Sequence, residues 1–306
     1  MNILITGGAG YIGTELTRIL AQDKAVDKIV VYDNLSRQNY NLFLGSKFQG
    51  QEKVQFIKGE LLDSRNLKKA LKDIDVVYHL AARVTTPFAN ADAHLYEQIN
   101  HWGTAELVYA VEESKVKKFI YASSVGVYGS SEQALDEQSA PNPKTFYAIS
   151  KLRGEEHVRR LLPKMDTYIF RCGNVYGYSP SMRFDAVINK FVFEANFEKR
   201  ITIHGDGEQA RTFIHIDLIA RALANVLTKN LAGGTYNLVE RTLKVMDIVD
   251  ELKQLMPELE FILINQHMKL NQLVIKANDS INKQLDINNP RSLKEELQEF
   301  VSRLSF

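Results

Sequence analysis

The sequence predicts an α/β protein: a Rossmann-type doubly wound parallel sheet with a smaller C-terminal α/β lobe. Three observations carry this. Short β-rich runs alternate with amphipathic helical stretches through the first two-thirds of the chain, the rhythm of βαβ units. Several of those runs are almost continuously apolar (Ile29-Val30-Val31, Val76-Val77), as strands covered on both faces must be. Glycines cluster between the first run and the first helix, where sheets of this kind bind phosphates.

Taken in order, candidate strands lie at 2–6, 28–32, 54–58, 76–80, 118–122 and 167–171, and helical stretches at 14–22, 64–71, 94–114 and 146–162. After about residue 175 the rhythm changes. Gly, Tyr, Ser and Pro cluster at 177–181, a helix-like stretch covers 183–196, and a strand-like 201–204 leads into Gly205-Asp206-Gly207. A helix at 218–228 precedes an Asn-rich quarter that ends in a helix at 293–304. No internal repeat or low-complexity linker separates these parts. The expected division is a cofactor-binding domain at 1–175, with a returning segment at about 212–240, and a second lobe at 176–306 packed on it.

The 306 residues carry 38 Lys+Arg against 37 Asp+Glu, a formal net charge of +1. Apolar residues make up 45% and charged residues 25%, which excludes a disordered chain. Near-neutrality removes the electrostatic footprint of nucleic-acid binders, so no nucleic-acid partner is expected. The one cysteine, Cys172, allows neither an intrachain disulfide nor a cysteine zinc cluster. It reads as a small core residue. The histidines show no ligand spacing, so no metal is expected. His79 and His215 read as packing or hydrogen-bonding residues. The start MNILITGG lacks the basic residues and long apolar run of a signal peptide, and no segment approaches a membrane span. A soluble, cytoplasmic protein without membrane contact is the expectation.

Gly7-Gly8-Ala9-Gly10-Tyr11-Ile12-Gly13 satisfies both G-x-G-x-x-G and G-x-x-G-x-x-G. Such glycines permit a tight turn and close approach of a pyrophosphate, and Gly13 lets the helix pack on the strand. The helix N-terminus offers oriented N–H groups. Asp33 ends the second strand 20 residues after Gly13, where a carboxylate grips the adenosine ribose. Its charge would repel a 2′-phosphate, which favours NAD over NADP; Arg37 nearby would soften that preference.

Tyr147 and Lys151 stand at i and i+4, on one helical face. A phenol with a reference pKa of about 10 is a poor base at neutral pH, and a neighbouring ammonium or a cationic nicotinamide would favour the phenolate. Tyr-x-x-x-Lys alone is common. Here it follows Ser123-Ser124, at the end of a strand, by 23 residues, a far more specific combination.

At this point the chain resembles the extended short-chain dehydrogenase/reductases, and among them the NAD-dependent nucleotide-sugar epimerase/dehydratase family, UDP-glucose 4-epimerases included. The resemblance runs from Thr6-Gly7-Gly8-Ala9-Gly10-Tyr11-Ile12-Gly13 through Asp33-Asn34-Leu35, His79-Leu80-Ala81-Ala82, Asn100 with Gly103-Thr104, and Ser123-Ser124. It continues with Val127-Tyr128-Gly129, Tyr147 with Lys151, Arg171 with Asn174-Val175-Tyr176-Gly177, and Gly205-Asp206-Gly207-Glu208-Gln209-Ala210-Arg211-Thr212-Phe213. It implies roles. Tyr147 would be the acid/base, Lys151 would bind the nicotinamide ribose and lower the tyrosine pKa, and Ser124 would hydrogen-bond the reacting oxygen. NAD would be held by Gly7, Gly10, Tyr11, Ile12, Gly13, Asp33, Asn34, Glu60 (where the family has an aspartate), Leu61, Leu80, Ala81, Ala82, Arg83, Asn100, Ser123, Tyr147 and Lys151. The sugar nucleotide would meet Thr86, Ser124, Asn174 and Arg211; for Arg211 a surface ion pair is the competing explanation.

Within the family, 4,6-dehydratases carry Thr-Asp-Glu before Val-Tyr-Gly, because eliminating water requires an extra acid and base. This chain has Ser124-Val125-Gly126. The resemblance therefore implies an epimerase of a nucleotide-diphosphate sugar acting at C4 through a 4-keto intermediate. A 4-keto-sugar reductase that consumes NAD(P)H is the alternative, and a non-catalytic NAD-binding protein a more remote one. Three departures concern the sugar side: Ala89 replaces a polar residue, Lys269 is the one cation in Gln266-His267-Met268-Lys269-Leu270-Asn271, and Leu285-Asp286-Ile287 replaces Leu-Gly-Trp. The sugar and nucleotide are left open. The resemblance also implies a homodimer formed through a four-helix bundle by the helices at 94–114 and 146–162.

Overall fold

The structure, a computed structural model, describes residues 1–44, 47–84, 92–265 and 272–305. Its first half alternates strand and helix: β1 (Asn2–Thr6), α1 (Tyr11–Gln22), β2 (Lys28–Asp33), β3 (Val54–Lys58), α2 (Ser64–Ala70) and β4 (Val76–His79). A helical stretch follows as α3 (Ala93–Tyr96), a π-helical turn (Glu97–Trp102) and α4 (Gly103–Glu112). Then come β5 (Lys118–Ser124), α5 (Phe146–Arg159), β6 (Asp166–Cys172) and β7 (Asn174–Tyr176). The remainder is α6 (Val187–Phe193), β8 (Arg200–His204), β9 (Ala210–His215), α7 (Ile216–Asn225), β10 (Gly234–Leu238), β11 (Arg241–Lys244), α8 (Val245–Leu255), β12 (Glu260–Ile264), α9 (Asp279–Gln284) and α10 (Leu293–Ser302).

Seven strands form one sheet in the order β10-β6-β5-β4-β1-β2-β3, and every pairing in it is parallel. The period of a strand sends alternate side chains to opposite faces. Ile3 and Ile5 pack with Leu16, Leu20, Ile219 and Leu223 of α1 and α7. Leu4 points the other way, to Leu67, Leu107, Val111 and Val158 of α2, α4 and α5. Each such buried side chain contributes about 1.5–3 kcal/mol. The expected doubly wound sheet is therefore present. Residues 216–238 return to it: α7 packs on α1, and β10 adds a strand beside β6.

The second lobe has its own core, built from Ile188, Phe191, Ile201, Phe213, Ile248, Leu252, Leu297 and Phe300. Two small sheets, β11-β9-β7 and β12-β8, frame it. Of these strands β8 and β12 have the local pattern that marks a strand in the sequence, in β12 the apolar run Phe261-Ile262-Leu263-Ile264. The others are short and of mixed polarity, and pairing with distant partners makes them strands. The lobes interlock at the start of α1. Tyr11 Oη donates to the Gly177 carbonyl (2.5 Å), Thr14 Oγ1 to Ser181 Oγ (2.8 Å), and Ser179 Oγ to Glu15 (2.6 Å).

Two helices differ from expectation. The first begins at Tyr11 and not at residue 14, because Gly10 with extended backbone serves as its N-cap. The helix expected at 94–114 contains the π turn, which carries Asn100 to a fully buried position.

Candidate active site

A cleft of about 1500 Å³ opens between the C-terminal ends of the large sheet and the second lobe. That exceeds the roughly 300–1,000 Å³ of a site for one small molecule, so it has room for a dinucleotide and a second ligand. At one end lies the glycine turn. Gly7 has φ +71°, and a Cβ there would sit 2.6 Å from Ala81 N. A Cβ on Gly13 would sit 2.4 Å from the Gly7 carbonyl. The turn is closed as tightly as backbone allows. Gly10 brings no capping side chain to the first N–H groups of α1, which leaves them for an anion.

Asp33 follows at the end of β2. Its carboxylate accepts from Ala9 N (3.1 Å) and Leu35 N (2.8 Å), which orient it at the cleft wall. Burial raises its pKa against those two bonds. Asn34 donates to Glu60 (3.0 Å), and Tyr32 Oη to the Glu60 carbonyl (2.8 Å). Arg37 is turned toward the second lobe, 3.6 Å from Asp185. Its charge is engaged there and does not offset Asp33.

Leu61, Leu80, Ala81, Ala82 and Arg83 line the same wall, with Tyr11 and Ile12. Asn100 does not. Its amide accepts from Arg83 N (2.7 Å) and donates to the Arg83 carbonyl (2.9 Å) and Ser150 Oγ (3.0 Å). It shapes the loop after β4 from behind. Ser123 reaches the cleft edge, but its hydroxyl donates to Glu155 (2.6 Å). Both positions, expected to bind cofactor, have side chains spent on protein groups. His79 is buried between Thr6 Oγ1 (2.7 Å at Nδ1) and Thr104 Oγ1 (2.8 Å at Nε2). Thr104 donates to the Asn100 carbonyl (2.7 Å), so His79 Nε2 carries the proton toward Thr104. Burial and Lys151 hold this imidazole neutral.

Thr145 caps α5 by accepting from Ala148 N (3.2 Å), and α5 delivers Tyr147 and Lys151 to the centre of the cleft. Tyr147 faces Ser124 across the cleft, and Ser124 Oγ accepts from Gly126 N (3.1 Å). Burial pushes the Tyr147 phenol above its ordinary value, while Arg183 and the Ser124 hydroxyl pull it down. Burial lowers the Lys151 amine from 10.5 to about 7. Lys151 Nζ lies 4.1 Å from the centre of the Tyr121 ring. The cation that draws on the phenol is thus Arg183, which in the sequence merely opens the helix-like stretch at 183–196. Its position after the Gly-Ser-Pro turn was its one signal. Cys172 is buried beside Lys151, its thiol pushed up to about 12. It is a wall residue.

On the second-lobe side, Asn174 lines the cleft and donates to the Thr212 carbonyl (3.1 Å). Arg211 lines it too, its pKa lowered by burial alone. No ion pair among the described residues involves Arg211, which removes the surface-pair explanation. Thr86, Ala89 and the stretch at 266–271 lie outside the described residues. The carboxylates among the described cleft residues are Asp33, Glu60 and Asp185. Asp185 is bound by Arg183 (2.9 Å) and Arg37. Val125 and Gly126 follow Ser124 where an eliminating enzyme needs acids. Among the described residues no group of three His, Cys, Asp or Glu side chains is placed to hold a metal.

A parallel sheet with a glycine-rich first turn, an acid ending β2 and a Ser–Tyr–Lys set define a dinucleotide-dependent enzyme of the short-chain dehydrogenase/reductase class. Comparison with known proteins narrows this: residues 3–238 match the NAD dependent epimerase/dehydratase family, and the chain belongs to that family. It is 34% identical to the dTDP-D-glucose 4,6-dehydratase of Mus musculus over 84% of this chain and 73% of that one. It is 32% identical to the uncharacterized UDP-glucose epimerase YtcB of Bacillus subtilis over 82% of each. The UDP-glucuronic acid 4-epimerase of Bacillus cereus, solved with UDP-glucuronic acid and NAD, superposes with a TM-score of 0.86 at 28% identity, over 99% of this chain and 98% of that one.

Proposed function

We propose that this protein is an NAD-dependent epimerase of a nucleotide-diphosphate sugar, acting at C4. The observation that carries this reading is the Ser124–Tyr147 pair in a cleft with no unpaired carboxylate near it. Oxidation and re-reduction need one proton-handling group. Elimination of water needs a further acid and base, and Val125-Gly126 cannot supply them. The kinship to a 4,6-dehydratase thus concerns the scaffold, and the Bacillus epimerases support the isomerase reading.

The cleft fits the cofactor. Gly7 and Gly13 leave no room for side chains, the first N–H groups of α1 receive the pyrophosphate, and Asp33 takes the adenosine ribose. NAD, when bound, accepts a hydride from the sugar and returns it. Tyr147 Oη would take the proton of the C4 hydroxyl, through or beside Ser124 Oγ, and return it to the same oxygen when the hydride comes back to the opposite face of C4. Arg183 offsets the burial that otherwise keeps the phenol protonated, and a positive nicotinamide would add to that effect. Arg211 and Asn174 hold the diphosphate, Arg211 by charge-assisted bonds. Residues 1–175 with the returning segment carry the cofactor, and residues 176–306 carry the sugar nucleotide.

Trp102, Tyr109 and Phe146, exposed on the helical stretch around α4 and on α5, support a homodimer through these helices, which Trp102→Glu should convert to a monomer on a sizing column. No helix among the described residues is long and apolar enough to cross a membrane, and a cytoplasmic location fits a nucleotide-sugar substrate.

The test is to incubate the protein with UDP-, GDP-, CDP- and dTDP-sugars, with and without NAD, and follow the anomeric protons by NMR. An epimer formed without net NADH supports the proposal. Carbonyl loss only when NADH or NADPH is supplied would replace it with the keto-reductase.

A further inference from the structure

We infer that Glu155 is a positioning residue of this active site: its carboxylate, clamped by Arg171 and Ser123, aligns the chain segments bearing Ser124, Lys151 and Cys172 and presents a negative charge to the Lys151 ammonium. The inference rests on the reading of the site given above.

Glu155 is fully buried and lies one helical turn beyond Lys151 on α5, as Lys151 lies one turn beyond Tyr147. It accepts from Ser123 Oγ (2.6 Å), from Arg171 Nε (3.0 Å) and Nη2 (2.8 Å), and from Arg159 Nη2 (2.8 Å). Ser123 directly precedes Ser124 on β5, and Arg171 directly precedes Cys172 on β6. One carboxylate therefore ties α5 to two strand ends that border the cleft, the one that bears Ser124 and the one that bears the wall residue Cys172. Arg171 is itself 2% exposed. Its guanidinium lies 4.6 Å from the centre of the Tyr128 ring, and Tyr128 Oη donates to Asn237 on β10 (2.9 Å). The clamp thus reaches four elements of the fold.

A buried ion pair is a poor way to gain stability, because apolar residues of the same volume often serve as well or better. A bidentate pair does fix geometry. The surroundings of Lys151 add an electrostatic role. The groups acting on it or acted on by it are His79 from β4, Tyr121 from β5, Cys172 from β6 and Glu155 from its own helix. Tyr147 stands one turn away. Burial holds His79, Tyr121, Cys172 and Tyr147 in their neutral forms. Glu155 is the charged group of opposite sign, and it favours the ammonium.

The test is a titration of the Lys151 side chain by NMR in protein labelled with 13C at the lysine ε carbon, the resonance being identified by its loss in Lys151→Met. Glu155→Gln preserves shape and an acceptor for Ser123 but removes the charge. The Lys151 midpoint should fall by at least about one pH unit. Turnover of the nucleotide sugar found in the panel should drop about tenfold or more at pH 7.5, with KM within about twofold and the alkaline limb moved to lower pH. Glu155→Asp, which keeps the charge but shortens the reach, should retain the midpoint and still lose turnover. A Glu155→Gln midpoint within about 0.3 of the wild type, or unchanged turnover in both variants, overturns the inference. If the wild type converts no nucleotide sugar, the proposed function fails, and the titration still decides the role of Glu155.

Discussion

Replacing Lys151 with methionine should make the protein more stable and nearly inactive, and the stability gain should depend on pH in a defined direction. Lys151 is 2% exposed, and burial lowers its amine from 10.5 to about 7. Its folded-state pKa therefore lies below its unfolded one. Between those values the unfolded chain binds the extra proton, so stability rises with pH across this window and the cost of burial is complete below it. At about 1.36 kcal/mol per pH unit, that cost is about 5 kcal/mol at pH 6 and about 2 kcal/mol at pH 9. Native-state relaxation and the lost contact with Tyr121 reduce what methionine recovers. A gain of about 2–3 kcal/mol at pH 6, and under half of that at pH 9, is expected. For a chain of this size the acidic gain corresponds to a rise of about 3–5 °C in Tm. Thermal unfolding at pH 6, 7.5 and 9, with turnover measured in parallel, tests this. A variant that melts at or below the wild type at pH 6, or by a margin independent of pH, refutes the reasoning.

Tyr147→Phe should cut turnover by about 10²–10⁴-fold, the usual share of an acid/base group, while calorimetry shows NAD affinity little changed. Gly13→Ala places a Cβ 2.4 Å from the Gly7 carbonyl; the backbone must shift, so NAD binding should weaken more than about tenfold with a loss of about 2 kcal/mol or more in stability, read by calorimetry and denaturant unfolding. Arg211→Gln would remove the proposed charge-assisted contact to the diphosphate, of a kind worth about 1.5–3 kcal/mol. It should raise KM for the nucleotide sugar and leave NAD binding as it is.

The α/β class, the positions of the first six strands, the glycine turn, Asp33 and the Tyr147–Lys151 pair are all legible in the sequence, because each rests on local chemistry. Strands covered on both faces are apolar throughout, a phosphate turn needs glycine at set offsets, and two residues four apart share a helical face. These signals survive without knowledge of the partner. The second lobe was harder to read for the opposite reason. β7, β9 and β11 are strands only because remote segments pair with them.

The same distinction runs through the site. Nothing local separates Asn100, spent on the backbone of Arg83, from a residue that touches a cofactor, since both are polar side chains beside a strand end. The charge of Arg183 acts on Tyr147 only because the segment after Gly177 folds back over α1. Glu155 and Arg171 are 16 residues apart in the chain and become a pair only when α5 lies across β6. Backbone conformation and helical periodicity are written into neighbouring residues, whereas the charge that acts on a buried phenol or ammonium depends on which distant groups the packed chain brings beside it.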